Sequence, residues 1–287
     1  MKEQNLFIEI GTINTLMVHR ESDHGMYLQA KDDSEVLLPN IYVDKSKMAL
    51  NSLLDVFVYT DSEDRVVATT LTPKAKVGEF GYFEVVDVKH YGAFVDWGLP
   101  KDLFVPLSQQ KRHFEVGSKH ILAVALDEKT NRVYATQKIG RFLSHKTDKL
   151  SPKEQVEILI VAKTPLGYKV IAENKYEGMI YHDEIFKPIQ IGQIVDAYIK
   201  TIRKDHKLDL ILQPIGKNNQ NDSDTNTILA KLGANGGSLD FTYKSDATDI
   251  KEAFAMSKKS FKKALTKLIE TNQIELLEDK IKLKSRK

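Results

Sequence analysis

Tyr91 and Phe94 flank a glycine in the run Tyr91-Gly92-Ala93-Phe94-Val95, and Arg132 opens a later strand-like run, Arg132-Val133-Tyr134-Ala135-Thr136. Aromatic rings stack on any nucleobase and a guanidinium meets a phosphate, so this trio suits a single-stranded nucleic acid. Gly92 can kink its strand and bring the side chains around it to one face despite the usual alternation. A competing reading puts Phe94 in a β-core and pairs Arg132 with the acid before its turn, Asp127. Trp97, the single tryptophan, either caps such a face or packs inside. A second basic feature lies near the end of the chain. At about 100° per residue, Phe261, Ala264, Leu265, Leu268 and Ile269 share one helix face, and Lys258, Lys259, Lys262, Lys263 and Lys267 cover the other. That lysine face suits a nucleic-acid backbone, with an ordinary solvated face as the alternative.

Other chemistries lack their residues. The chain has no cysteine, which removes disulfides and thiolate metal sites. Its eight histidines include no close ligand pair, and no His-Glu-x-x-His helix occurs. No Gly-x-x-x-x-Gly-Lys-Ser/Thr phosphate loop is present. The paired acids Asp32-Asp33 have no basic or metal-binding companion. The expectation is a non-enzyme with no catalytic residues, no metal and no cofactor. Apolar runs such as Ile158-Leu159-Ile160-Val161-Ala162 are far shorter than the roughly 20 residues of a membrane span. With no apolar signal core near Met1, the expected location is the cytoplasm.

The elements that position these residues repeat. His24-Gly25-Met26-Tyr27-Leu28 matches the Tyr91 run at an offset of 67, and so do Leu37-Leu38-Pro39 with Phe104-Val105-Pro106, Arg65-Val66-Val67-Ala68-Thr69 with Arg132 to Thr136, and Gly11 with Gly78. A third, more divergent copy follows at an offset of 75, where Leu166-Gly167-Tyr168-Lys169-Val170, Met179-Ile180-Tyr181, Gly192 and Lys207 fall on the same landmarks. About five short strands in about 70 residues suit a closed OB-fold barrel, whereas an immunoglobulin-like sandwich needs about 100. Residues 217–224 are polar and read as a linker. Beyond them the order is a helix from Thr225 to Leu232, a strand from Ser238 to Tyr243, a helix opened by Asp246, and the lysine-faced helix capped by Ser257. A hairpin around Glu278-Asp279 completes the order of a winged helix-turn-helix. The fold expected is mostly β with a C-terminal α+β domain: five-stranded OB-fold barrels at 1–71, 73–142 and 150–216, then a winged helix at 224–287.

The second repeat resembles the S-one domain, the RNA-binding OB-fold module named after a ribosomal protein, through Val77-Gly78, Tyr91 to Val95, Leu103-Phe104-Val105-Pro106-Leu107-Ser108, Val116-Gly117 and Asp127 to Arg132. The whole chain is similar to the bacterial conserved virulence factor B family, most recognisably at Phe254-Ala255-Met256-Ser257-Lys258-Lys259-Ser260-Phe261-Lys262-Lys263-Ala264. The resemblance implies tandem S-one barrels, a winged helix and RNA binding, with a post-transcriptional role in gene expression, virulence included. It assigns base stacking to Tyr91 and Phe94 and a late-strand acid–base pair to Asp127 and Arg132. Pro106 stands where the family often has histidine. The matched residues are His24, Tyr27, Asp61 and Arg65 in the first repeat, and Leu166, Lys169, Asp205 and Lys207 in the third. Tyr27, Arg65 and Lys207 therefore join the candidate RNA contacts, and Arg65 has the alternative of an ion pair with Asp61.

Charge divides the repeats. Residues 1–72 carry a net −6, against +3, +2 and +3 for 73–145, 146–217 and 218–287. The partner expected is single-stranded RNA. The acidic first barrel is expected to take a protein partner or to brace the second. Two rivals stand: a DNA-binding regulator that uses the winged helix, and a protein-binding scaffold of the transcription or translation machinery.

Overall fold

The computed structural model describes residues 3–185, 188–213 and 217–284, and for 217–223 the backbone only. The chain forms two compact units, Met1–Leu143 and Ser144–Lys287.

The first unit holds two barrels of one topology. The first is built from β1 (Ile13–Ser22), β2 (Gly25–Gln29), β3 (Glu35–Pro39), β4 (Leu53–Thr60) and β5 (Val66–Thr69). The second follows with β6 (Phe80–Lys89), β7 (Gly92–Val95), β8 (Leu103–Pro106), β9 (Lys119–Asp127) and β10 (Arg132–Thr136). Each closes in the order first, second, third, fifth, fourth strand, with the third and fifth parallel. Closure leaves no free sheet edge. Alternate residues fill the interiors: Leu16, Leu28 and Leu38 in the first barrel, Phe83, Leu103 and Leu122 in the second. Each such side chain contributes about 1.5–3 kcal/mol by leaving water.

The repeat register holds in the backbone. The first strand of each barrel carries a β-bulge, between Val18 and Arg20, Val85 and Asp87, and Ile160 and Ala162, at spacings of 67 and 75. A bulge bends its strand enough to serve both sides of a small barrel. Gly25, Gly92 and Gly167 each open the second strand of their barrel. A Cβ there would lie 2.0 Å from the Leu38 carbonyl oxygen, 2.5 Å from that of Val105 and 2.0 Å from that of Ile180. The glycine landmark thus answers to a close approach of the neighbouring strand.

The two barrels of this unit share a core. Phe57 and Tyr59 of β4 and Val67 of β5 pack in one cluster with Trp97, Leu99 and Ala75 of the second barrel. Trp97 meets the Phe57 and Tyr59 rings edge-on at 5.4 and 6.4 Å and donates its Nε1 hydrogen to the Ala75 carbonyl at 2.7 Å. Of the two placements open for Trp97, packing inside is the one found.

The second unit holds the third barrel and the winged helix. β11 (Gln155–Thr164), β12 (Gly167–Ala172), β13 (Tyr176–Tyr181), β14 (Ile194–Ile202) and β15 (Leu208–Ile211) close in the same order. The winged helix comprises α1 (Lys217–Ala234), β16 (Ser238–Leu239), α2 (Ala247–Phe254), α3 (Lys258–Glu270) and the hairpin β17 (Ile274–Leu276) and β18 (Ile281–Leu283). Asp246 caps α2 by accepting from the Thr248 N–H, and Ser257 caps α3 by accepting from the Ser260 N–H. Both caps stand where the sequence put them.

Two expectations need correction. The polar stretch 217–224 is not a linker but the first turns of α1. Polar residues carry no apolar period, yet a helix nucleated by the buried Ile228 and Leu232 extends at low cost through them. The strand expected over Ser238 to Tyr243 stops at Leu239. Phe241 and Tyr243 beyond it pack on the winged-helix core, and Phe241 meets the Phe254 ring at 4.8 Å.

Candidate nucleic-acid interface

The second barrel carries an aromatic row on its outer face. Phe94 on β7 stands opposite Phe104 on β8, and Phe104 opposite Tyr134 on β10. Their strand neighbours Ala93, Val95, Leu103, Val105 and Ala135 point inward and are buried. Pleating therefore sends the three rings outward together. The Phe94 and Phe104 rings are 5.2 Å apart. Tyr91, on the turn before β7 and 50% exposed, stands edge-on to Phe94 at 6.4 Å and lies 5.8 Å from Phe104. Phe94 is thus half-buried by other surface rings and lies outside the barrel core.

These rings line a groove of about 1190 Å³, with Arg132 and Lys129 from the second barrel and Ser62 and Asp64 from the first. Sequence reasoning missed Phe104 and Tyr134 as site residues. Phe104 served only as a repeat landmark, because Leu103-Phe104-Val105-Pro106 is an apolar run that does not show which residues face outward.

Arg132 reaches into the groove but is not bonded to Asp127. It pairs with Asp64 of the first barrel at 2.5 Å. Lys101 ties the same corner, donating to the Asp61 carbonyl at 2.7 Å. Asp127 instead caps its own turn: the Lys129 N–H, then Thr130, hold its carboxyl below the usual range. These two candidates therefore stand opposite each other across β9 and β10 and line one groove, with their side chains bonded to different partners.

The matched rows of the other barrels differ. In the first it reads Tyr27, Leu37 and Val67. Tyr27 lies under the Arg20 guanidinium, 3.6 Å from the ring centre, and Arg20 is bonded to Glu35. Arg65 pairs with Asp61 and Glu63 at 2.7 and 2.8 Å, as the ion-pair alternative has it. In the third barrel the row reads Lys169, Met179 and Asp209, without an aromatic. Lys207 pairs with Glu177 at 3.0 Å. Tyr27, Arg65 and Lys207 are thus each engaged within their own barrel, and neither Tyr27 nor Arg65 lines the Tyr91 groove.

On α3, Phe261, Ala264, Leu265 and Leu268 are buried and Lys259, Lys262 and Lys263 are exposed. Lys258 donates to the Lys244 carbonyl at 3.5 Å, and Lys267 is half-buried. Among the described residues no cluster of histidine and acid side chains could hold a metal, and no helix is long and apolar enough to cross a membrane.

Residues 10–71 match the S1 domain family, residues 83–161 the S1 RNA binding domain family, and residues 226–283 the CvfB-like winged helix domain. Uncharacterized protein YitL of Bacillus subtilis is 27% identical over 91% of this chain and 89% of its own. Conserved virulence factor B of Staphylococcus saprophyticus is 23% identical over 96% and 94%, and that of Staphylococcus aureus 25% identical over 85% of each chain. A crystal structure from Streptococcus pneumoniae, described as a multidomain protein with nucleic acid binding domains, is 26% identical, covers 96% of this chain and 98% of its own, and superposes with a TM-score of 0.42.

Closed barrels matched by S1 families, joined to a winged helix, define the class: a nucleic-acid-binding regulatory protein of tandem S1 type, whose matched families are binding domains and not enzymes. Within that class the resemblance to the conserved virulence factor B family is borne out, by its winged helix and by relatives of that name along most of the chain.

Proposed function

We propose that this chain is a non-enzymatic, cytoplasmic RNA-binding protein that holds single-stranded RNA on the outer face of its second barrel and acts after transcription on gene expression. The observation that carries the reading is the row Phe94, Phe104 and Tyr134 with Tyr91 above it, on a net positive repeat. Stacking on such a row is indifferent to sequence and worth about 1–3 kcal/mol per base. Tyr91, Phe94 and Arg132 contact the RNA, Asp127 shapes the groove beside them, and Arg132 exchanges Asp64 for a phosphate. Tyr27, Arg65 and Lys207 add contacts only where RNA displaces their present partners.

The four domains are proposed at 1–71, 73–142, 150–216 and 224–287, with α1 running across the start of the last. The first barrel braces the second through their shared core and leaves its acidic surface to a protein partner. The α3 lysines favour a second reading for the winged helix. Lys258, Lys259, Lys262, Lys263 and Lys267 come with no arginine, asparagine or glutamine in the central turns, which suits backbone contact on RNA or DNA better than base reading. The regulated process extends to virulence gene expression by the likeness to conserved virulence factor B.

Titration of the purified protein against single-stranded RNA, single-stranded DNA and duplex DNA at two salt concentrations tests the proposal. Preference for single-stranded RNA is expected. Preference for the duplex would move the activity to the winged helix.

A further inference from the structure

The groove is lined by four acidic residues, of which Asp64 pairs with Arg132 and Asp127 caps its own turn, whereas Asp102 stands beside the aromatic row. Asp102, just before β8, lies on the outer face with Phe104, two residues along the strand, and lines the groove with Tyr91 and Phe94. Among the described residues no hydrogen bond or ion pair reaches its side chain. The matched acids of the other barrels are both engaged: Glu35 accepts from Arg20, and Glu177 pairs with Lys207. Lys207 occupies in the third barrel the position Arg132 holds in the second. In the second barrel Arg132 pairs instead with Asp64 of the first.

Two further acids, each with a lysine partner, stand near Asp102. Continuing the β7–β8 register from Val95 opposite Leu103 sets Asp96 across from it, and Asp87 stands opposite Phe94. Asp96 is bonded to Lys74 and Asp87 to Lys89. Burial, then Asp96 and Asp87, push the Asp102 carboxyl up. A hydrogen-bond donor arriving there meets an acceptor with no competitor in the protein. The groove therefore sets the Asp102 carboxylate beside the aromatic row, with Lys129 and Arg132 lining it as well.

We propose that Asp102 reads the amino edge of a base stacked on Phe104 and so gives the groove a preference for cytosine over uracil. The inference rests on the RNA-binding reading above. Residues two apart on one strand face are separated by about 6.6 Å, which lets the edge of a base stacked on Phe104 meet the carboxylate. Cytosine presents an amino donor at ring position 4, which a carboxylate accepts; uracil presents a carbonyl oxygen there, which it repels. The two rings are otherwise alike in size, so stacking does not separate them. A phosphate is the poorer occupant of this end, because the Asp102 carboxylate repels it, whereas Asp96 and Asp87 are already matched by Lys74 and Lys89.

The test is fluorescence anisotropy of the full chain with labelled oligocytidine and oligouridine RNAs of equal length at fixed salt. Wild type should bind oligocytidine about tenfold more tightly. Asp102→Ala should abolish that ratio by weakening oligocytidine binding, with oligouridine unchanged or tighter. Asp102→Asn, which adds an amide donor for the uracil carbonyl, should shift the ratio toward uridine. Equal gains in affinity for both RNAs with Asp102→Ala would overturn the inference, since the carboxylate would then only repel phosphates. A ratio unchanged by both substitutions would do the same. Failure of the wild type to bind either RNA would overturn the RNA-binding reading as well, which separates the two failures.

Discussion

Two phenylalanines of the second barrel, one on each side of the sheet, should respond in opposite ways to the same truncation. Phe83 is fully buried in the core that joins the two barrels, whereas Phe104 is half-buried on the outer face between Phe94 and Tyr134. Phe83→Ala removes a whole buried ring and leaves a cavity, which costs about 3–5 kcal/mol. Phe104→Ala forfeits partial burial and the ring contact with Phe94, about 1–2 kcal/mol together. For RNA the order reverses. Loss of one stacking ring weakens binding by about 1–3 kcal/mol, which is about 5- to 150-fold. Phe83→Ala should keep near-normal affinity at temperatures where it remains folded. Urea unfolding followed by circular dichroism, with RNA anisotropy on the same samples, reads both effects. A Phe104→Ala protein as unstable as Phe83→Ala, or one with unchanged RNA affinity, would refute the division into core and platform.

Trp97→Ala should cost about 3–5 kcal/mol and destabilise both barrels of the first unit in one transition, because Phe57 and Tyr59 lose the ring they pack on; separate transitions in calorimetry would count against the shared core. Changing Lys258, Lys259, Lys262 and Lys263 to Gln should weaken binding and flatten its salt dependence by about one unit of slope per lost phosphate contact, and an unchanged slope would assign that face another task. His120 is stacked on Phe114 at 3.9 Å, and burial pulls its pKa below 6.5. The unfolded chain then binds the proton first, so the neutral ring's contribution is complete above about pH 6.5 and is lost as pH falls through the folded value. His120→Phe should blunt the loss of thermal stability on mild acidification, and an unaltered pH profile would mean that His120 does not carry it.

The barrels were legible because their landmarks are backbone requirements. Gly25, Gly92 and Gly167 stand where a Cβ would strike the next strand, and such needs survive divergence of the surrounding side chains. The caps Asp246 and Ser257 were legible for the same reason, being local hydrogen bonds between near neighbours. The site was read only in part. Tyr91 and Phe94 announced themselves around Gly92, but Phe104 sits in Leu103-Phe104-Val105-Pro106, an unbroken apolar run with no alternation to reveal its face. The partner of Arg132 was beyond sequence reasoning, because Asp64 lies 68 residues away and meets it only through the packing of two barrels. The start of α1 was misread because polar residues signal a linker by composition, while the helix takes its stability from Ile228 and Leu232 further along.

The most direct measurement is an RNA titration of the double variant Tyr91→Ala, Phe94→Ala beside wild type, with thermal unfolding of both. Both rings lie outside the barrel core, so the fold should persist with a modest drop in melting temperature. Loss of two stacking rings should weaken single-stranded RNA binding by about 30-fold or more. A folded double variant that binds single-stranded RNA as tightly as wild type would contradict the account.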